Sequence, residues 1–387
     1  MPYVLTSPVN HLKGSLSTKE KGIRMKKQLL IGLVCFVGLS FFTACSGGDD
    51  NSMTPPTFDR SLSIEENVDQ FFAQTISPSE PGAAVLIVKD GVSVHQKGYG
   101  LADIDTGVPI ETDSQFELAS VSKQFTALGV LLLFERGLLK LDDPIRTYLP
   151  ELSPSWDTMT IRHLVAHQAG IPDHLNEIFT TDAVLSMTNS DIFAYFVDQP
   201  QLDFEPGSAF KYTNGGYLML AELITRVTHS SFREFMQANV FAPFGMTLST
   251  VDDESRPDLP TLVTSYRNGA VSNFDPLLVG EAGIVSTIDD LFRYQEALLS
   301  GQIVSPASLD IAFTDQTNNG SGYSFGWYIS EDRGHTINLH GGTLSGFSTQ
   351  FVIVHDLNVT LIMLSNSRSY GRLFNALRNQ VIRFYEN

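Results

Sequence analysis

Four residues, Ser120-Val121-Ser122-Lys123, set a hydroxyl and an amine three positions apart in the stretch FELASVSKQFTALGVLLLFERGLL. On a helix that spacing puts both side chains on one face, about one turn apart. A serine hydroxyl is a weak nucleophile until a base takes its proton, and a lysine amine serves as that base only when uncharged. With a reference pKa of about 10.4, roughly one lysine in a few thousand is neutral at pH 7. Lowering that pKa by about three units costs about 4 kcal/mol, which burial and cationic or polar neighbours can impose. The pair therefore does chemistry only inside a cleft with further partners. Ser-x-x-Lys alone is a weak signal, since Ser208-Ala209-Phe210-Lys211 matches too, but that copy follows Pro206-Gly207 and reads as loop and turn. Behind Ser120, Val121, Phe125, Leu128, Val130, Leu131, Leu132 and Phe134 supply the apolar residues of a helix. Its N-terminus would add a partial positive charge of roughly half a unit beside the hydroxyl. The bland alternative is a serine N-cap followed by a surface lysine.

Two further groups have matching chemistry. Tyr212-Thr213-Asn214 offers a phenol that can share a proton with a lysine, and an amide that can hold a substrate carbonyl. The tripeptide Tyr-x-Asn recurs at Tyr266-Arg267-Asn268 and Tyr385-Glu386-Asn387, so only the position of the first copy, at a loop-to-helix transition, speaks for it. His340-Gly341-Gly342-Thr343 ends the apolar-patterned stretch HTINLH. Two glycines there allow a ligand close to the backbone of an edge strand, and the Thr343 N–H could serve as an oxyanion donor. The alternative is a glycine-rich strand end with an exposed histidine. His163 and His167 stand four apart, but no Glu follows His163 as a zinc protease requires, so packing or loop hydrogen bonding is expected and no metal. Asp289-Asp290 before LFRYQEALL reads as helix capping.

Elements must bring these groups together. LSIEENVDQFFAQTI (62–76) has helical spacing, and AAVLIVKDGVSVHQKGYG reads as two strands joined at Asp90-Gly91. From 120 to about 300 the pattern is mostly helical. Strands return in SGYSFGWYI, HTINLHGG and TQFVIVHDLNVTLIMLSN, and RLFNALRNQVIRFYEN closes as an amphipathic helix. Strands at both ends around a helical middle predict an α+β fold, in which an antiparallel sheet is flanked by helices and carries an inserted, mainly helical subdomain. Hairpins argue against an all-parallel sheet.

In this order, FELASVSKQFTA, TIRHLVAHQAGIPDH, PGSAFKYTNGGYLMLAELI, PFGM, GIVSTIDDL and HGGTLSGFSTQF resemble the serine β-lactamase and penicillin-recognising family. The similarity is greatest to its class C-like branch of esterases, D-aminopeptidases and D-Ala-D-Ala carboxypeptidases. The resemblance implies a β-lactamase/transpeptidase-like fold over 59–387 and a serine hydrolase working through an acyl-enzyme without a cofactor. Ser120 would be the nucleophile, Lys123 its proton partner and Tyr212 the general base. Asn214, His340, Gly341, Gly342 and Thr343 would bind substrate, with the N–H groups of Ser120 and Thr343 forming the oxyanion hole. β-Lactamases usually carry Lys-Thr-Gly where His340-Gly341-Gly342 stands. A histidine is mostly neutral at pH 7, so recognition of a substrate carboxylate should weaken. The expected substrates are therefore small acyl esters or D-amino-acid peptides, with β-lactams ranked below both. A penicillin-binding or non-catalytic envelope protein of the same fold is the alternative. No Ser-Asp-Asn occurs, which counts against a class A enzyme.

The first residues read as address rather than fold. Met25-Lys26-Lys27 precedes QLLIGLVCFVGLSFFTAC, an uncharged apolar run ending at Cys45, with the anatomy of a secretory signal (25–44). FTAC resembles the lipobox of bacterial lipoproteins, which implies lipidation of Cys45 and anchoring to a bacterial membrane. Residues 1–24 then read as an upstream extension and 45–58 as a tether. Cleavage before Cys45 leaves 343 residues and no cysteine for a disulfide. The leader holds six of the 25 basic and one of the 43 acidic residues, so the mature chain carries −23. That charge repels nucleic acid and excludes it as a partner.

Overall fold

In AAVLIVK every second side chain turns to the opposite face, and both faces are buried. Ala84, Leu86 and Val88 of strand β1 (Ala83–Lys89) enter one core, whereas Ala83, Val85 and Ile87 enter another. The strand is therefore an interior one. The computed structural model describes residues 56–175, 181–185, 187–198, 201–272, 277–317 and 319–386. The upstream extension, the signal, Cys45 and all but the end of the tether lie outside them. After β1 come β2 (Val92–Tyr99), β3 (Tyr323–Ser324), β4 (Trp327–Asp332), β5 (His335–Leu344), β6 (Phe347–Val354) and β7 (Val359–Ser365). They form one antiparallel sheet in the order β3-β4-β5-β6-β7-β1-β2. Asp90 and Gly91 close the first hairpin with φ of 52° and 76°, the left-handed pair that suits a two-residue turn.

Helices cover both faces. In α1 (Ile64–Thr75) the Ser63 hydroxyl accepts the Glu66 N–H while the Glu66 carboxylate accepts the Ser63 N–H, a reciprocal cap. Phe71 and Phe72 of α1 join Phe374 and Leu377 of the last helix, Gly371–Tyr385, over one face. The other face carries the larger core, which runs without a break into α2 (Ser122–Glu135), α3 (Ile161–Val165), α4 (Asn214–Thr228) and α5 (Ile288–Leu299). This is the expected α+β arrangement, with the helical middle inserted between β2 and β3. The middle shares its core with the sheet, and both belong to one compact unit, Thr54–Asn387.

Of the 14 residues of α2, 12 are buried. A helix apolar on all sides belongs inside, so Lys123 is carried into the interior by its own helix. Gly129 lets α2 approach its neighbours: a Cβ there would lie 2.8 Å from Ile224 Cδ1 and 2.9 Å from Met236 Cε. A small sheet of Phe116–Glu117, Ile284–Ser286 and Thr250–Val251 lies just before the nucleophile loop. The Thr287 hydroxyl caps α5. The acidic pair does more than cap: buried Asp290 accepts the Leu248 N–H and the Ser249 hydroxyl, and Asp289 accepts from Gln96 and Thr112.

Candidate active site

Ser120 sits in a 3-10 turn, Ala119–Val121, one step ahead of α2 rather than within its first turn. Its hydroxyl makes no capping bond, which removes the N-cap alternative. Three contacts hold the turn. Ala119 has a φ of 51°, unusual for a residue with a Cβ. Glu117 pins it, accepting the Ala119 N–H at 2.6 Å and the Gly283 N–H at 2.7 Å. Thr349 donates its hydroxyl to the Leu118 carbonyl at 2.7 Å. At Gly342 an added Cβ would stand 2.4 Å from Thr349 Oγ1, 2.5 Å from the Leu118 carbonyl oxygen and 2.8 Å from Ala119 Cβ. The expectation that both glycines make room for a ligand is thus corrected: the space at Gly342 is filled by the nucleophile loop. At Gly341 the nearest atom would be the Thr349 carbonyl oxygen at 3.6 Å, an ordinary contact. β5 is interior in its first half and open-edged in its second, as expected for the His340–Thr343 stretch. β4 pairs with it as far as Leu339, leaving His340–Leu344 with only β6 beside it. Thr343, on that open stretch, is exposed.

Lys123 is fully buried, and its Nζ lies 3.2 Å from Ser120 Oγ, 2.8 Å from Asn214 Oδ1 and 2.9 Å from the Glu281 carbonyl oxygen. A neutral amine has two N–H bonds and one lone pair. With Asn214 and Glu281 taking the two hydrogens, the lone pair is left facing the Ser120 hydroxyl. Burial pulls the Lys123 pKa down to about 8, against the opposing pull of the Glu281, Asp173 and Glu117 carboxylates. The lysine is thereby poised to take a proton near neutral pH.

Asn214 opens α4 and was expected to hold substrate. In the structure its side chain also braces the lysine, since Oδ1 accepts from Lys123 while Nδ2 donates to the Asp173 carboxylate at 3.1 and 3.3 Å. Tyr212 is half-buried over Lys123, its ring centroid 5.0 Å from Nζ. Burial pushes the phenol well above its ordinary pKa, opposed by a hydrogen bond with Ser120. A phenol so raised keeps its proton at neutral pH in the resting site. His167 packs at 4.3 Å and Tyr328 stacks at 6.3 Å on Tyr212.

His340 is only 1% exposed. Its Nδ1–H donates to the Gly341 carbonyl at 2.7 Å, which leaves Nε2 to accept the Tyr323 hydroxyl at 3.1 Å. Burial, seconded by Lys123, lowers its pKa to about 3. The imidazole is therefore neither an exposed group nor a cation for a substrate carboxylate, and both its nitrogens are spent inside. His163 and His167 do not share a helical face, because α3 ends at Val165 and His167 has a φ of 54°. His163 closes a cap with Thr160, and His167 accepts the Thr213 N–H at 3.3 Å. The second Ser-x-x-Lys stays in its loop, with Lys211 bonded to Asp203. The Tyr266 hydroxyl accepts the Ile104 N–H, and the third Tyr-x-Asn ends at Asn387, outside the described residues.

Glu117, Asp173, His174 and Glu281 were not singled out by sequence reasoning. His174 Nε2 and Glu281 Oε1 pair at 3.2 Å, both residues wholly buried, and the backbone of Glu281 is one support of Lys123. Their only sequence signal is an acid or histidine inside an otherwise apolar or glycine-rich run, FEL, GIPDH and GEAGIV.

A family model described as Beta-lactamase matches residues 64–382. The chain belongs to the β-lactamase family. Over 308 residues it is 33% identical to Penicillin-binding protein 4* of Bacillus subtilis (strain 168), covering 73% of this chain and 67% of the relative. It is 28% identical over 320 residues to Protein flp of Staphylococcus aureus (strain N315), covering 78% and 63%. The chain thus spans about two thirds of the length of these curated relatives. Among solved structures, the octameric penicillin-binding protein homologue from Pyrococcus abyssi aligns with a TM-score of 0.71 at 23% identity, over 84% of this chain and 77% of that one. The D-amino acid amidase from Ochrobactrum anthropi SV3 gives 0.69 at 22%, over 84% and 98%. At such identities the likeness is one of fold. The family is one of serine hydrolases and acyltransferases, and this member is an enzyme.

Proposed function

We propose that this β-lactamase-family enzyme hydrolyses small acyl esters or D-amino-acid amides and peptides through an acyl-enzyme on Ser120, with β-lactams as poorer substrates. Lys123 carries the reading: a buried amine with two hydrogens committed and a lone pair toward a hydroxyl at 3.2 Å is built to deprotonate that hydroxyl. In acylation the Ser120 proton passes to Lys123 Nζ as Oγ bonds to the substrate carbonyl carbon. The oxyanion is held by the N–H groups of Ser120 and Thr343, an arrangement whose single donors are commonly worth about 10²–10³ in rate. The carbonyl re-forms as the bond to the leaving group breaks. The departing amine or alkoxide takes a proton from the Tyr212 phenol, which Lys123 replaces. Water then attacks the acyl carbon as Lys123 takes its proton, the bond to Ser120 Oγ breaks to release the acid, and Lys123 returns the proton to Oγ. The neutral, buried His340 supports the low rank of β-lactams, because it offers their carboxylate no charge. We further propose that Cys45 is lipidated and holds the enzyme at a bacterial cell envelope.

Labelling with a fluorescent fluorophosphonate, with Ser120→Ala as control, tests the nucleophile. Equal labelling of both proteins refutes it. Nitrocefin, a p-nitrophenyl ester and a D-Ala-D-Ala peptide on one preparation rank the substrates, and fast nitrocefin turnover overturns the inference from His340. The relative named for penicillin binding adds one readout, slow covalent capture of a fluorescent penicillin at Ser120.

A further inference from the structure

Both hydrogens of the neutral Lys123 amine end on acceptors that a single dipeptide holds. The Asn214 amide that takes one of them donates its Nδ2–H to the Asp173 carboxylate. The Glu281 peptide carbonyl takes the other, and the Glu281 side chain is bonded to His174 Nε2 at 3.2 Å. Asp173 and His174 are adjacent, 4% and 0% exposed, in the stretch that follows α3. Asp173 also accepts the Leu175 N–H at 3.0 Å, which ties that stretch to itself. Glu281 depends on the histidine. Among the described residues its Oε1 bonds His174 alone, and its buried Oε2 has no hydrogen-bond partner. His174 Nδ1 is buried without a partner as well, so a proton there would be a stranded donor. The ring proton therefore sits on Nε2 and points at Glu281. Gly280 and Gly283 flank this residue with φ of 104° and 85°, a backbone region open to glycine, so the segment needs anchors from outside. Thr126 supplies one by donating its hydroxyl to the Gly280 carbonyl at 2.7 Å, and His174 supplies the next.

We propose that His174 is a positioning residue for acylation: acting through Glu281, it keeps that carbonyl on one Lys123 hydrogen and so aims the lone pair at Ser120. Asp173 does the same on the other side through Asn214, and the dipeptide works as one yoke on the amine. The assignment rests on Lys123 being the base for Ser120. A carboxylate released from His174 turns to the Lys123 ammonium, which it already influences more than Asp173 or Glu117 does. The charged form is then favoured, and the lone pair is lost to the ion pair. Tyr212, Tyr217, His167 and His340 also face the amine, but they are common to wild type and every variant below.

The test varies reach at constant chemistry. His174→Gln puts an amide nitrogen near the place of Nε2, whereas the shorter side chain of His174→Asn stops before Glu281 Oε1. Each is compared with wild type by kcat and KM on a p-nitrophenyl ester from pH 5 to 10, and by fluorophosphonate labelling of Ser120. His174→Asn is expected to lower kcat at pH 7 by at least about tenfold while KM changes less than about threefold. The rise of kcat/KM with pH, centred near the Lys123 value of about 8 in wild type, should move upward. His174→Gln should return kcat to within about threefold of wild type and leave the rise in place. Adding Glu281→Gln to His174→Asn should cancel the upward movement, since no carboxylate is left to pair with the amine. His174→Phe fills the volume without a donor and should behave as His174→Asn does, so it carries the test if the smaller side chain prevents folding. A rise that stays put in both donor-less variants, or a loss that His174→Gln does not restore, overturns the positioning role. Wild type whose Ser120 does not label, or whose rate shows no such rise, sinks the nucleophile and base. A wild-type rise near 8 that no His174 variant moves sinks only the yoke.

Discussion

Replacing Glu281 by Gln should make the enzyme work at lower pH, an outcome that follows from what surrounds Lys123. The amine falls from an ordinary 10.5 to about 8 because it is buried, and among the carboxylates that resist the fall Glu281 contributes most. At a pKa of about 8 roughly one lysine in ten is neutral at pH 7, against roughly one in three thousand at the ordinary value. The folded environment thus multiplies the available base by about 300, equivalent to about 3 kcal/mol. Because the lysine acts uncharged, kcat/KM should rise with pH along a single limb centred near 8. Glu281→Gln removes the strongest stabiliser of the ammonium, while the backbone carbonyl that accepts from Nζ stays. The limb should then move down by about one unit, and at pH 6 the neutral fraction should rise about tenfold. Part of that gain is offset by the weaker basicity of the amine. The assay is kcat/KM on a p-nitrophenyl ester from pH 5 to 9, with fluorophosphonate labelling rates on the same samples. A limb that stays at 8, or moves up, refutes the assignment of Lys123 as the base under control of that charge.

Gly342→Ala drives a methyl group into the Leu118 carbonyl and Ala119, so labelling of Ser120 should slow by at least 100-fold with an unchanged circular dichroism spectrum. Gly341→Ala meets only ordinary contacts and should lose at least tenfold less. Gly129→Ala, despite the better helix propensity of alanine, should destabilise by about 1–3 kcal/mol in urea unfolding, because the Cβ overpacks against Ile224 and Met236. His340 is held neutral down to about pH 3 when folded but protonates at its ordinary 6.5 when unfolded. The stability it supports is therefore complete above pH 6.5 and is lost as pH falls toward 3, at up to about 1.4 kcal/mol per unit. His340→Gln should flatten the decline of the urea midpoint between pH 6 and 4, and an equally steep decline would contradict the burial argument.

Much of this was readable in advance. The Asp90-Gly91 hairpin, the flanking strands and the all-apolar helix behind Ser120 announce themselves through local periodicity and turn chemistry, which a sequence displays directly. The meeting of Ser120 with Lys123 follows from spacing on or near one helix. What the sequence concealed are relations between distant residues. The bonds of Asn214 to Asp173 and Lys123 leave no trace in the sequence, and His340 looks like a surface group until Tyr323 closes over it. Glu117 and Glu281 were indistinguishable from the other acids of a strongly anionic chain, since burial of a single carboxylate leaves no periodic trace. The raised pKa of the Tyr212 phenol has the same origin, because desolvation belongs to the assembled pocket.

The supports of Lys123 also arrive late. Asn214 is 91 residues downstream and Glu281 is 158, while the sheet is closed by contacts such as Ser365 to Gly82, which are 283 residues apart. A topology this non-local folds slowly, since the entropy of closing long loops is spent before the contacts repay it. Until then Lys123 is an ordinary ammonium and Ser120 an ordinary alcohol. Ser120 is thus unreactive in the unfolded chain, so the rate at which it labels during refolding is a clock for the completion of the whole domain.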